Sequence, residues 1–378
     1  MLELLISWGW AMLRFYKSII LAVISIGIML MNNIAVQAET MGFLINWFQP
    51  AMYSTDDDCD GGLNLAAPEL FARILNEQGL SPKEVEKLLA DFPHTFTREY
   101  SNRGRINGEP VNAYLNPTSV PDPNVKISTG TLGYGFNLDG KNGPDDFIDP
   151  STGEDGVDNM AARAMGCFST MRGEPGVRPT HLTSRWAETR DNMPASIVEV
   201  TGVDDRQNDP DVELLLTRAK EPAIRDANSE GLKDLTFRVD PNPRSVNRVH
   251  GRIKDGILQT DIFDFFMIGD PFHMAEYRFN GSRIRLSIQD DGGAYGIIGG
   301  YMPFVDLYMA WALTGTASES MLSVDLPGFY YALRKLADGG PIDELTGMNT
   351  TISTSFTIEA VRAFVVHDNG LISDQVEN

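Results

Sequence analysis

The sequence predicts a mainly β protein with some α: an antiparallel β-sandwich or jelly-roll-like domain behind a loop-rich, partly helical N-terminal module. Three observations predict it. Short runs alternating apolar and polar residues recur from Ala195 onward, and dipeptides that tolerate positive φ separate them. A longer alternating run, ISTSFTIEAVRAFVV, follows near the end.

The short runs are ASIVEVT, VELLLTRA, LTFRV, RVHGRI, ILQTDIF, AEYRF, SRIRLSI and YGIIGGYM. Asp255-Gly256 and Asn280-Gly281 read as hairpin turns and Gly292-Gly293 as another reversal, since these residues accept the backbone a type I′ turn imposes. In the long run, Ile352, Phe356, Ile358 and Ala360 alternate with Ser353, Ser355, Thr357 and Glu359, which describes a strand with one wet face. Two helices interrupt the strands, over residues 303–314 and 327–338. Pro303 and Pro327 open them, and Gly315 and Gly339-Gly340 end them.

Two more helices are expected ahead of the β-region. Pro68 opens ELFARILNEQ, which stops at Gly79. Ser81, Pro82 and Glu84 start KEVEKLLADF with a capping box. Residues 94–192 are rich in Gly, Asn, Asp, Pro and Thr, with little periodicity. A structureless loop of that length is foreign to a compact domain, so a disulfide, bound cations or packing must order it. The chain thus divides into a leader at 1–38, a loop-rich module at 39–192 and a β-domain at 193–378.

The leader has the form of a secretory signal peptide. Arg14 and Lys17 precede an apolar run from Ser18 to Met31, and small residues at Val36 and Ala38 suit cleavage after Ala38. Glu3 and two tryptophans ahead of the basic flank fit this pattern poorly, so translation is expected to start at Met12. The apolar run is shorter than the ~20 residues a spanning helix needs, so no stable transmembrane segment is expected after processing. The destination is the periplasm or the cell exterior.

Without residues 1–38, which carry Arg14, Lys17 and Glu3, the chain keeps 29 basic and 51 acidic side chains, a net charge of −22. Such a surface repels nucleic acid and anionic lipid and attracts cations. The only cysteines, Cys59 and Cys167, are expected to form one disulfide in an oxidising compartment.

Acidic turns form three clusters: Asp56, Asp57, Asp58 and Asp60; Asn137, Asp139, Asp145 and Asp146; and Asp149, Glu154, Asp155, Asp158 and Asn159. Calcium takes six to eight hard oxygens, roughly the supply of such loops, which makes Asn137, Asp139, Asp146, Asp155 and Asp158 its candidate ligands. Read as an EF-type loop, the second cluster places Asn137, Asp139, Gly140 and Asp146 in register, but Gly135 stands where the first carboxylate belongs. Ordinary Asx and hairpin turns are the competing reading.

Familiar catalytic patterns are missing from the sequence. His94, His181, His250, His273 and His367 are scattered without zinc spacing, and no CxxCH offers a covalent haem site. There is no GxSxG elbow, no phosphate-cradling loop and no dinucleotide fingerprint, so no nucleotide is expected. Asp261, Asp264, Asp270 and Glu276 lie among Phe263, Phe265, Phe266 and Phe272. They line a groove if those rings are exposed, and face water if the rings fill the core.

The segments LGYGFNLDGKNGPDDF and GEDGVDNMAARAMGC, followed by VTGVDDRQNDPDVELLL, resemble uncharacterised exported proteins of Gram-negative bacteria. In those, a GFNLDG…DGVDN…GC block precedes a β-rich domain. The resemblance spans about residues 50 to 300 and implies an exported protein in which that block is one unit. It implies no activity. Two functions therefore stand: a non-enzymatic ligand- or partner-binding protein stabilised by calcium, or a glycosidase-like polymer hydrolase using a carboxylate pair the sequence does not identify. A concave pocket in which two carboxyls meet, one with a raised pKa, separates the second from the first.

Overall fold

The alternating runs do form strands, but the strands close on themselves. The computed structural model describes residues 38–90, 100–173, 178–271 and 273–367. The leader, apart from Ala38, and His94 lie outside them. Chain from Thr40 onward forms one unit.

In order, the elements begin with β1 (Glu39–Pro50), α1 (Ala67–Glu77), α2 (Pro82–Ala90), β2 (Gly104–Ile106), β3 (Glu109–Val111), β4 (Phe147–Ile148), β5 (Asp155–Val157), α3 (Met160–Met165) and α4 (Thr180–Asn192). There follow β6 (Pro194–Val203), β7 (Asn208–Pro222), β8 (Thr236–Arg238), β9 (Asn247–Lys254), β10 (Ile257–Thr260), β11 (Phe263–Ile268), β12 (Glu276–Ile288) and β13 (Ala294–Pro303). Last come α5 (Phe304–Ala312), α6 (Gly315–Leu322), α7 (Leu326–Leu336), β14 (Gly339–Ile342) and β15 (Asn349–Val366).

With 38% strand and 25% helix the protein is mainly β, as expected, but the sandwich or jelly roll is overturned. Eight strands, β1-β6-β7-β9-β10-β12-β13-β15, pair antiparallel in chain order, and β15 pairs back to β1. The result is a closed up-and-down barrel. The strand that closes it, ETMGFLINWFQP, lacks alternation because both of its faces are covered. Phe43, Ile45 and Phe48 join the main core and Leu44 joins a second one.

Side chains fill the barrel. Phe48 lies 5.3 Å from Tyr277 and 5.0 Å from Phe356, whose ring is 5.3 Å from Phe279. Val200, Leu214, Leu286, Ile298 and Ile358 complete this layer, each worth about 1.5–3 kcal/mol of burial. Outside the barrel, Phe237 and Val239 cover Leu44, Ile197, Leu215 and Ala363, with β8 running parallel to the end of β15. A third core joins α1 and α2 through Leu70, Phe71, Ile74 and Val85, with Tyr100 against it.

Turn chemistry accounts for one barrel end. Residues 204–207, Asp255-Gly256 and 289–293 are short reversals, with Asp255 and Gly256 at φ 52° and 76° and Gly292 at 83°. Asn280-Gly281 is not a hairpin. It is a bulge inside β12, with Gly281 at φ 59°, where the register shifts between Asn280 and Arg283. The bend lets β12 pair with β11 on one stretch and β10 on the next. Every long connection, including residues 51–193 and 304–348, leaves from the opposite end.

The expected helices at 303–314 and 327–338 appear as α5 and α7, the latter capped by Asp325, whose carboxylate accepts the Gly328 amide at 3.0 Å. Glu84 accepts the Ser81 amide at 2.8 Å in the capping box of α2. Cys59 and Cys167 are bonded, with Cα atoms 5.8 Å apart. No described helix is long and apolar enough to cross a membrane.

Candidate functional site

The GFNLDG-to-Cys167 block folds onto the outside of β12, β13 and β15. Arg285 reaches out from β12 to Asp149 at 2.7 Å and Glu154 at 3.1 Å, while Arg283 donates to the Asn137 carbonyl at 2.8 Å. Gly299 admits the block: a Cβ there would lie 2.7 Å from the Phe136 ring. Asn159 locks the far side, donating to the carbonyls of Ala51 and Tyr134 and accepting the Ser355 amide. Arg163 serves the carbonyls of Ser128, Gly130 and Asp145 and stacks 4.2 Å from the Phe147 ring centroid. The buried Asp149 takes the Ser151 and Thr152 amides beside Arg285, and these hold its carboxyl below the usual range despite its burial.

The proposed calcium ligands form a hydrogen-bonded turn system. Asn137 Oδ1 accepts the Gly140 amide at 2.7 Å, and its Nδ2 donates to the Lys141 carbonyl at 2.8 Å. Asp139 accepts the Lys141 amide and pairs with the Lys141 ammonium at 2.9 Å. Asp146 accepts the Gly143 amide, and Asp155 accepts from Asn142 and from the Gly156 amide, both at 2.9 Å. Asp158 Oδ2 takes the Leu138 amide at 2.7 Å and the Asp139 amide at 3.3 Å. Among the described residues, no group of three or more His, Cys, Asp or Glu side chains is placed to hold a metal ion.

What the block does create is a cleft. Asp139, Asp145, Asp146 and Asp158 face Tyr301 of β13, Asp338 and Asn349 across about 480 Å³, with Lys141 and Lys335 also in the lining. Desolvation pushes Asp158 up to about 6 against two amide hydrogen bonds, and the charges of Asp139 and Asp146 add to it. Asp338 is pushed up in the same way, although it accepts the Ser353 amide at 2.7 Å. Tyr301 is driven well above the usual phenol range by burial and by the charges of Asp158, Asp338 and Asp139.

Other openings are chemically quieter. A cleft of about 320 Å³ beside α1 is lined by Arg73, Arg103 and Asp325, but Arg73 pairs with Asp325 and Arg103 with the buried Glu319. The cavity at the helix-covered barrel end measures about 50 Å³, too small for a ligand of drug size. The acids among the phenylalanines line none of these three openings. Asp264 accepts the Gly281 amide, Glu276 pairs with Arg244 and Arg278, Asp270 is buried, and Phe265 fills the core. Of the histidines, His250 pairs with Asp211, His273 with Glu188 and His367 with Glu199, and His181 accepts from Arg185. Sequence reasoning missed Tyr301 and Asp338 because no motif surrounds either. Their only signal is topological, since β13 and the approach to β14 both end at the cleft.

No family model matches the chain, and neither a curated protein nor a solved structure matches it.

Proposed function

We propose that the protein is exported to the periplasm or the cell exterior and there binds a cationic ligand in the acidic cleft without turning it over. One observation carries this reading. Of the five cleft aspartates, only Asp139 has a cation within 4.0 Å among the described residues, and Lys335 is already paired with Asp122. Five carboxylates outnumber the two lysines of the lining, and such an excess favours a ligand that brings positive charge. The Cys59–Cys167 bond supports an oxidising compartment.

Calorimetry of the chain from Glu39 onward with a polyamine tests the reading. Binding should weaken as salt rises, and by about tenfold in the double variant Asp158→Asn, Asp338→Asn. No measurable binding at low salt ends the proposal.

A second reading, polymer hydrolysis, is favoured by two carboxyls pushed up within one concave cleft, the condition under which a carboxylic acid serves as proton donor. Release of reducing ends from a polysaccharide panel, abolished by Asp158→Asn, selects it over simple binding.

A further inference from the structure

Where α4, α5, His273 and Met274 meet over the barrel end, the small cavity has mainly apolar walls, Phe48, Trp186, Tyr277 and Trp311 among them. Its polar side chains include Gln49 and Arg185. Arg185 donates to His181 Nε2 at 3.0 Å, to Thr314 Oγ1 at 2.7 Å and to the Ala310 carbonyl, and it faces His273 Nδ1 at 3.3 Å. The Thr314 hydroxyl and the Ala310 carbonyl carry no charge, and no carboxylate among the described residues bonds the guanidinium directly. His181 must be neutral to accept, and its burial beside Arg185 lowers it to about 3. His273 presents Nδ1 to Arg185 and its other nitrogen to Glu188 at 2.5 Å, so Glu188 reaches the guanidinium only through an imidazole.

A guanidinium has five N–H groups, and the fifth, on Nη2, has no acceptor among the described residues. Gln49, 4% exposed, accepts from Thr183 at 3.3 Å, while its Nε2 has no acceptor among them. Arg163 and Arg218 also lack a carboxylate partner, but their N–H groups go largely to backbone carbonyls, and neither lines this cavity. Arg185 is lowered to about 10 by desolvation, which outweighs the opposing charge of Glu188.

We infer that this cavity binds a short-chain carboxylate, its oxygens taking the unmet N–H groups of Arg185 and Gln49 and its alkyl part lying on the aromatic wall. The space of about 50 Å³ suits a molecule of roughly acetate to butyrate size. The site is separate from the acidic cleft and does not depend on what binds there.

Thermal unfolding of the chain from Glu39 onward tests it, with acetate, propionate and butyrate titrated against propionamide and propanol at constant ionic strength. The carboxylates should raise the melting temperature saturably and the neutral isosteres should not. Arg185→Met removes the response. Should that variant fail to fold, Gln49→Glu sets a resident carboxylate in the same cavity as Arg185 and should weaken the propionate response about tenfold. Equal shifts with propionamide, no shift with any carboxylate, or an undiminished response in Gln49→Glu would overturn the assignment.

Discussion

Replacing Asp158 with Asn should stabilise the protein at neutral pH and leave it unchanged in acid. Asp158 is 5% exposed, and its carboxyl is raised from 3.8 to about 6, chiefly because burial disfavours the charged form. At about 1.36 kcal/mol per pKa unit, ionised Asp158 costs the fold about 2–3 kcal/mol. A raised folded-state value means the native protein holds this proton more tightly than the unfolded chain does. The favourable contribution is therefore complete below pH 3.8 and lost as pH rises through about 6. Asparagine keeps an oxygen for the Leu138 and Asp139 amides and removes the ionisation. Urea denaturation at about pH 7.5 should show Asp158→Asn more stable by about 2 kcal/mol, and the gap should close by about pH 4. A variant destabilised equally at both pH values would refute this reasoning and leave Asp158 as an amide acceptor only.

Further outcomes follow from the packing. Replacing Cys59 and Cys167 with Ser opens a loop of 108 residues and should cost up to ~5 kcal/mol, read from the shift in urea midpoint. Gly299→Val drives side-chain atoms into the Phe136 ring and Ser355 hydroxyl, 2.7 and 2.8 Å from the new Cβ, and should cost about 1–3 kcal/mol, seen as a lower melting temperature. A chelator should leave the melting temperature unchanged, because the acidic turns are already bonded to amides. A fall restored by calcium would instead establish a bound cation at residues 137–158.

The half-wet strands were legible because one face of each contacts water. β9 alternates buried and exposed residues over its whole length, and ILQT and SRIRLSI follow the same rule closely enough to read. β1 was illegible for the opposite reason. Covered on both faces, it carries Asn46 and Gln49 buried beside Phe48, and without it the remaining strands suggest two open sheets. The helix α4 was missed because its sequence, THLTSRWAETRDN, spends buried positions on Arg190 and Thr189 rather than on an apolar stripe. Asp139, Asp146 and Asp158 read as cation ligands in the sequence, and they do share one cleft. Asx-turn bonding is local and competes for the same oxygens, so composition alone does not distinguish the two uses. Tyr301 and Asp338 reach the cleft only through the pairing of β13 and β14 with β15, which no local pattern records.

The seam between β1 and β15 has a consequence for assembly. It sets Gly42 opposite Ala363, so the first and last staves of the barrel meet across about 320 positions of chain. Hairpins such as β9–β10 and β12–β13 are free to form as soon as they emerge, yet the sheet keeps two open edges until the final strand arrives. Closure is thus the late, slow event of folding, and a chain cut short before β15 would present both edges to its neighbours as templates for aggregation.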